Sequence, residues 1–261
     1  MNAGRFTNQY FFRDMNKPLK NLSLSLICLA VSLLHLSFGN KEAAGTIAAQ
    51  KSSMASGKLS DGISIYDSLL LDQSGLSREA FDNAKKGWDK LRSQGKLVNE
   101  SLITIVDFSQ SSNNKRLYIL DMENYKVLFN TLVAHGKNTG KEWATRFSNR
   151  LSSYKSSPGF YVTGQTYMGS NGYSLKLDGM ERGINDKAIE RAIVMHGADY
   201  VDESYISSLG FIGRSHGCPA VPAGQAKSII NTIKGGTCLY IHVPDQKYLS
   251  HSVLLKDSLL S

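Results

Sequence analysis

The amino-acid sequence predicts a mainly β fold, a sandwich or barrel-like sheet carrying peripheral helices and preceded by a short helical region. Seven stretches between residues 97 and 243 run at strand period, few segments repeat at helical spacing, and the connections are rich in Gly, Ser and Asn. With 261 residues and 41% apolar side chains, the chain is long enough to enclose a full core.

Residues 1–39 stand apart. Arg5, Arg13, Lys17 and Lys20 precede the apolar run 22–36, and the small residues Ser37 and Gly39 follow it at −3 and −1 of a cut after Gly39. This is the pattern of a secretory signal peptide, and it predicts a periplasmic or secreted protein. The run is interrupted by Ser23, Ser25, Ser32 and His35 and falls short of the ~20 apolar residues of a spanning helix, so an uncleaved anchor is the weaker reading. Cys28 lies inside it without the small preceding residue of a lipoprotein cleavage site, and no role is assigned to it. Removal of 1–39 leaves 26 Lys and Arg against 21 Asp and Glu, so the net charge falls from +8 to +5. These charges are dispersed. They suit an anionic wall polymer but form no stripe for nucleic acid, and membrane contact is expected only through an uncleaved leader. The two remaining cysteines, Cys218 and Cys238, are too few for a disulfide framework.

Residues 40–60, rich in Ala, Gly, Ser and Lys, read as a flexible tether. Residues 61–96 read as helical. Ile65, Leu69 and Leu70 share a face in a first helix that Ser74 and Gly75 end. Ser77 caps a second, Leu76 and Phe81 occupy its staple positions, and Phe81, Ala84, Trp88 and Leu91 form its apolar face up to Gly95. That spacing makes Trp88 a core residue rather than a sugar platform. The main, β-rich domain is expected over 97–250. Its first three runs, SLITIVDFS, KRLYILDM and KVLFNTLVA, form an antiparallel meander with turns at 111–114 and 123–125. Four more strands fall at 159–164, 173–177, 192–196 and 237–243. Between the last two, Pro222 opens a helix with Ala226, Ile229, Ile230 and Ile233 on its apolar face, and Gly235 and Gly236 stop it. Residues 251–261 are left as a tail.

The chemistry gathers at RSHGCPAV, 214–221. Cys218 is a nucleophile once it is a thiolate, and an imidazole can take its proton or stabilise its charge. His216 is two residues away; His196 ends a strand and is followed by Gly197. The 18 residues 197–214 are long enough to fold back and bring His196 to Cys218. Gly217 opens the backbone to a substrate carbonyl because it has no Cβ. Ser215 either holds a ring nitrogen or caps the loop.

These residues resemble the YkuD-like L,D-transpeptidases, in particular the murein L,D-transpeptidase catalytic-domain proteins of Gram-negative bacteria. The family signature is matched by His196-Gly197 and by Ser215-His216-Gly217-Cys218. LVAHGKNTG at 132–140, Ser157-Pro158-Gly159-Phe160 and the closing segment 225–243 are similar as well. The likeness covers about 102–243 and leaves out the tether and the first two helices. It implies that Cys218 attacks the carbonyl between meso-diaminopimelate and D-Ala of a peptidoglycan stem peptide, leaving a thioester. His196 is then the base and the His-Gly-Cys backbone part of the oxyanion site. The amine of a second stem or of a wall-anchored lipoprotein resolves the thioester, and water in that role gives a carboxypeptidase. No cofactor or metal is implied. In this sequence Pro219-Ala220 replaces an arginine that often follows the family's cysteine. Arg214 is the substitute carboxylate ligand, with Gly197 beside the substrate, or else a solvated loop charge. Tyr167, Tyr173 and His135 line the cleft or belong to the core.

Two rivals come from other classes. A zinc hydrolase would use His196, His216 and Cys218, although neither C-x-x-C nor H-E-x-x-H occurs. A non-catalytic wall-binding protein would keep the fold alone. Cys238 and His242 read as structural residues of one buried strand.

Overall fold

A computed structural model describes residues 64–256. The expected signal peptide and tether, and residues 257–261, lie outside the described residues.

Helix α1 (Ile65–Ser68) and helix α2 (Arg78–Ser93) lead. Ser77 accepts the Ala80 N–H at the start of α2, with Leu76 and Phe81 both buried across the cap. The buried face of α2 includes Phe81, Ala84, Trp88 and Leu91, as their spacing requires. Helix α1 differs from expectation. The chain turns left-handed at Leu70 (φ +50°) and leaves that side chain 53% exposed, while Tyr66 and Leu71 fill the core beside Leu69.

One sheet of eight strands follows: β1 (Leu102–Asp107), β2 (Leu117–Asp121), β3 (Lys126–Thr131), β4 (Gly159–Gly169), β5 (Gly172–Gly179), β6 (Val194–Ala198), β7 (Ala220–Pro222) and β8 (Cys238–His242). Their order is β3-β2-β1-β8-β4-β5-β6-β7. The first three form the expected antiparallel meander. Strand β8 returns parallel to β1 and lies between it and β4, and β7 runs parallel to β6. Past β3 the chain bridges Ala134 to Ala220 and Gly136 to Ser215, so the sheet nearly closes into a barrel. Strand β7 is the strand that periodicity did not reveal, because three residues ending in proline carry no period. Strand β4 continues beyond residue 164 across a register shift between Thr163 and Thr166, where its side chains no longer alternate into the core.

Helix α2 covers β1 and β8. Its Gly87 lies against the Phe160 ring, which stacks on Tyr240 with centroids 4.2 Å apart. Helix α3 (Glu203–Leu209) lies within the 197–214 spacer; α4 (Ala223–Ile233) buries Ala226, Ile229, Ile230 and Ile233 and packs on β6. After β8 comes α5 (Gln246–His251). Residues 251–256, set apart as tail by sequence, pack on the fold: Leu254 and Leu255 are buried, and Ser252 and Tyr248 donate to the buried Glu181 carboxylate. Among the described residues no helix is long and apolar enough to cross a membrane.

Candidate active site

The seam between β6 and β7 sets the site. In their parallel register His196 stands opposite Ala220, so Cys218 lies two residues back, level with Val194. That offset is roughly 6–7 Å along the strands. The Val194 N–H donates to Cys218 Sγ at 3.5 Å, and the thiol donates to the Ala192 carbonyl at 3.7 Å. No hydrogen bond joins the thiol to either imidazole. Cys218 is only 9% exposed, and burial pushes its thiol up, against the smaller opposing effects of the Val194 amide, Arg191 and its own amide. Burial pushes His196 down. Both shifts favour a neutral thiol beside a neutral ring.

His196 Nδ1 lies 2.9 Å from the Gly197 carbonyl, which can only accept, so Nδ1 carries the proton and Nε2 keeps its lone pair. A base is thereby prepared. His216, in contrast, is exposed at the rim: its Nε2 lies 3.3 Å from Lys137 Nζ, and its ring is 4.6 Å from that of Tyr154. The ammonium of Lys137 sits 4.2 Å above the same Tyr154 ring.

The turn that presents Cys218 is braced from inside. Ser215 Oγ accepts the Gly217 N–H at 3.0 Å and donates to the Cys218 carbonyl at 2.6 Å, so it is a loop brace and holds no ring nitrogen. Ser156 Oγ donates to the Gly217 carbonyl. Gly217 has φ +127°, and a Cβ there would stand 2.8 Å from the Lys155 carbonyl. Its N–H is thus committed. The Cys218 N–H makes no hydrogen bond to another group among the described residues, and it is the amide open to a developing oxyanion.

A cavity of about 380 Å³ opens at Cys218, lined also by Tyr154, Glu190, Arg191 and His216. Its internal cation is Arg191, not Arg214. Arg214 donates to the carbonyls of Lys137 and Gly140, packs over Phe211 and does not line this cavity. Gly197 lies against α4, where a Cβ would meet Ala226, and is a packing glycine. Of the other cleft candidates, Tyr167 lines an adjoining cavity with Ala192 and Ile193, and Tyr173 donates to Asn231 on α4. His135 is fully buried at 2.8 Å from Arg116; desolvation and that guanidinium hold its pKa near 3. Cys238 and His242 are buried in β8, and Cys218 and Cys238 are free thiols. Among the described residues no three His, Cys, Asp or Glu side chains stand close enough to share a metal ion, so His196, His216 and Cys218 do not form a zinc trio. Sequence reasoning missed Arg191 and Ser156, whose partners lie far along the chain.

A sequence model of the L,D-transpeptidase catalytic domain matches residues 72–242. The match contains the whole site and extends to α2, which the resemblance at 102–243 had left out. Three solved structures are similar. An L,D-transpeptidase from Mycobacterium smegmatis is 11% identical with a TM-score of 0.34, over 55% of this chain and 59% of its own. One from Stackebrandtia nassauensis is 16% identical with a TM-score of 0.34, over 63% and 66%. L,D-transpeptidase 3 from Mycobacterium tuberculosis, in complex with a faropenem-derived adduct, is 14% identical with a TM-score of 0.32, over 55% and 60%. The chain therefore spans less than two thirds of each of these structures. No curated protein matches the sequence.

Proposed function

Because the chain belongs to the family of L,D-transpeptidase catalytic domains, we propose that it is a cysteine-dependent acyltransferase acting on peptidoglycan stem peptides. The observation that carries this is the placement, inside the matched region, of a thiol at a cavity mouth beside an unengaged amide and a histidine of fixed tautomer. The thiol leaves the Ala192 carbonyl and turns toward His196, whose Nε2 takes its proton. Sulfur adds to the carbonyl carbon between meso-diaminopimelate and D-Ala, and the C=O electron pair moves onto oxygen. The Cys218 N–H meets that oxyanion. One such donor is worth ~3 kcal/mol of barrier. Collapse re-forms the carbonyl and breaks the C–N bond, and His196 returns the proton to the departing D-Ala amine. A thioester on Cys218 remains. An incoming amine, from a second stem or a wall-anchored lipoprotein, attacks it; His196 accepts the amine's proton and delivers it to the released sulfur. The exposed Lys137–His216–Tyr154 group at the rim supplies positive charge where a stem carboxylate would enter. The basic and apolar N-terminal segment directs the activity to the cell envelope.

The test uses a carbapenem, since one solved L,D-transpeptidase is in complex with imipenem. Intact mass after incubation with imipenem is expected to show one adduct on the wild-type protein and none on Cys218→Ala. With a tetrapeptide stem as donor, the wild type is expected to release D-Ala and the variant is not. A wild-type protein that takes no adduct and releases no D-Ala overturns the reading.

A further inference from the structure

Arg191, in the connection between β5 and β6, is half-buried in the wall of the Cys218 cavity. Its Nη1 donates to the Ser148 carbonyl at 2.9 Å and to Ser157 Oγ; its Nη2 donates to the Lys155 carbonyl at 2.6 Å and to Ser153 Oγ at 3.3 Å. All four acceptors are neutral. Among the described residues no carboxylate pairs with this guanidinium, and Glu190, its neighbour in the chain, lines the same cavity without bonding to it. A cation withdrawn this far from water normally faces an anion. Glu190 is exposed to solvent, and the groups acting on Arg191 that can become anionic are the Tyr161 hydroxyl and the Cys218 thiol. Tyr161 is fully buried and donates to the Ser157 carbonyl, so it stays neutral. The thiol remains. A Cβ placed on Gly217 would be 3.4 Å from Arg191 Nη2, so the guanidinium rests against the very turn that presents Cys218.

We propose that Arg191 is the missing counter-charge of this site: held by four neutral acceptors, its guanidinium stabilises the Cys218 thiolate and then the oxyanion formed from it. Arg191 makes and breaks no bond. The proton from sulfur goes to His196, and the negative charge passes from sulfur to the carbonyl oxygen and is lost when the protonated amine leaves. Arg191 is therefore a positioning residue, and it ties together the loop segments at 148, 153, 155 and 157 that wall the cavity. The other titratable groups facing the thiol are His196 on β6, Tyr200 after it, and Glu190, Tyr154 and His216 around the cavity. The oxyanion part rests on the acyltransferase reading; the thiolate part does not.

The experiment titrates the Cys218 thiolate in the free protein by its ultraviolet absorbance and by its rate of iodoacetamide alkylation, with Cys218→Ala as background. Arg191→Gln is expected to lower the thiolate fraction at a given alkaline pH about tenfold, while Arg191→Lys, which keeps the charge, stays within about threefold of wild type. Circular dichroism and melting report whether each variant folds. An unchanged titration in Arg191→Gln overturns the proposal, as does an equal loss in a folded Arg191→Lys. Should Arg191→Gln fail to fold, the double variant Ser153→Ala, Ser157→Ala loosens the guanidinium without removing it. It is expected to lower the thiolate fraction about threefold, and no change there also overturns the proposal. No substrate is involved. A protein that titrates as expected but takes no imipenem adduct loses the acyltransferase reading and keeps the thiolate counter-charge.

Discussion

At Cys218 the balance of environments decides the resting protonation state. Burial raises the thiol and lowers His196, and the thiol hydrogen is held by the Ala192 carbonyl rather than by the imidazole. An ion pair of thiolate and imidazolium would alkylate at acidic pH and show a plateau there. A neutral pair does not. The alkylation rate of Cys218 is therefore expected to climb through and above the ordinary thiol range, near pH ~8.5, with no plateau between about pH 5 and pH 7. Rates measured across that window check it, and a low-pH plateau would show that the imidazole already holds the proton. Cys218, His196 and Gly217 were legible in the sequence because their residue types and short spacings state their chemistry. Arg191 was not, since what defines it is contact with Ser148, Ser153, Lys155 and Ser157, 34–43 residues earlier. Arg214 is the converse case. Adjacency to the motif suggested a substrate ligand, and in the fold its Nη1 donates to the Lys137 and Gly140 carbonyls.

The elements differ in how far local pattern defines them. Helix α2 was readable from its cap, its staple and its apolar stripe, because each is settled within a few residues. Gly87 in its middle carries no such signal, and exposed positions gain about 1 kcal/mol on replacement of Gly by Ala in a helix. Here the sign reverses. A Cβ at residue 87 would stand 2.0 Å from Phe160 Cζ, and Phe160 is fixed by its stack on Tyr240 and by its N–H bond to Glu181. Gly87→Ala is expected to cost about 1–3 kcal/mol through overpacking, read from the denaturant midpoint. A stabilised variant would mean that α2 can slide on the sheet. Strand β7 illustrates the opposite limit: Ala220–Pro222 is a strand only because β6 and Ala134 lie on either side of it.

For the whole molecule, closure is what turns separate motifs into a site. The bridges from Ala134 to Ala220 and from Gly136 to Ser215 bring the chain after β3 against the 215–220 turn, so Lys137 and His216 meet at the cavity rim although 79 residues separate them. The fold class was legible because strand count and scarcity of helices follow from composition along the chain, whereas closure depends on pairings that sequence spacing does not encode. The same holds for the C-terminus. Leu254 and Leu255 are buried, Ser252 and Tyr248 donate to Glu181, and Lys90 donates to the Val253 and Lys256 carbonyls, so the end of the chain fastens β4 to the connection after β5. Glu181 also receives the Phe160 N–H, close to Ser157 and hence to Arg191. A chain ending at Ser250 removes those two leucines with their packing and strips the buried carboxylate of its Ser252 donor. Each buried leucine contributes about 1.5–3 kcal/mol and the lost donor about 1–3 kcal/mol, so the truncated protein is expected to melt well below the intact one. Cys218 keeps its own hydrogen bonds, and its alkylation rate in the still-folded truncated protein at low temperature is expected to match wild type. A truncated chain with unaltered melting would show that residues 251–261 are a dispensable tail, and one that stays folded but loses the alkylation rate would show that the C-terminal fastening shapes the site itself.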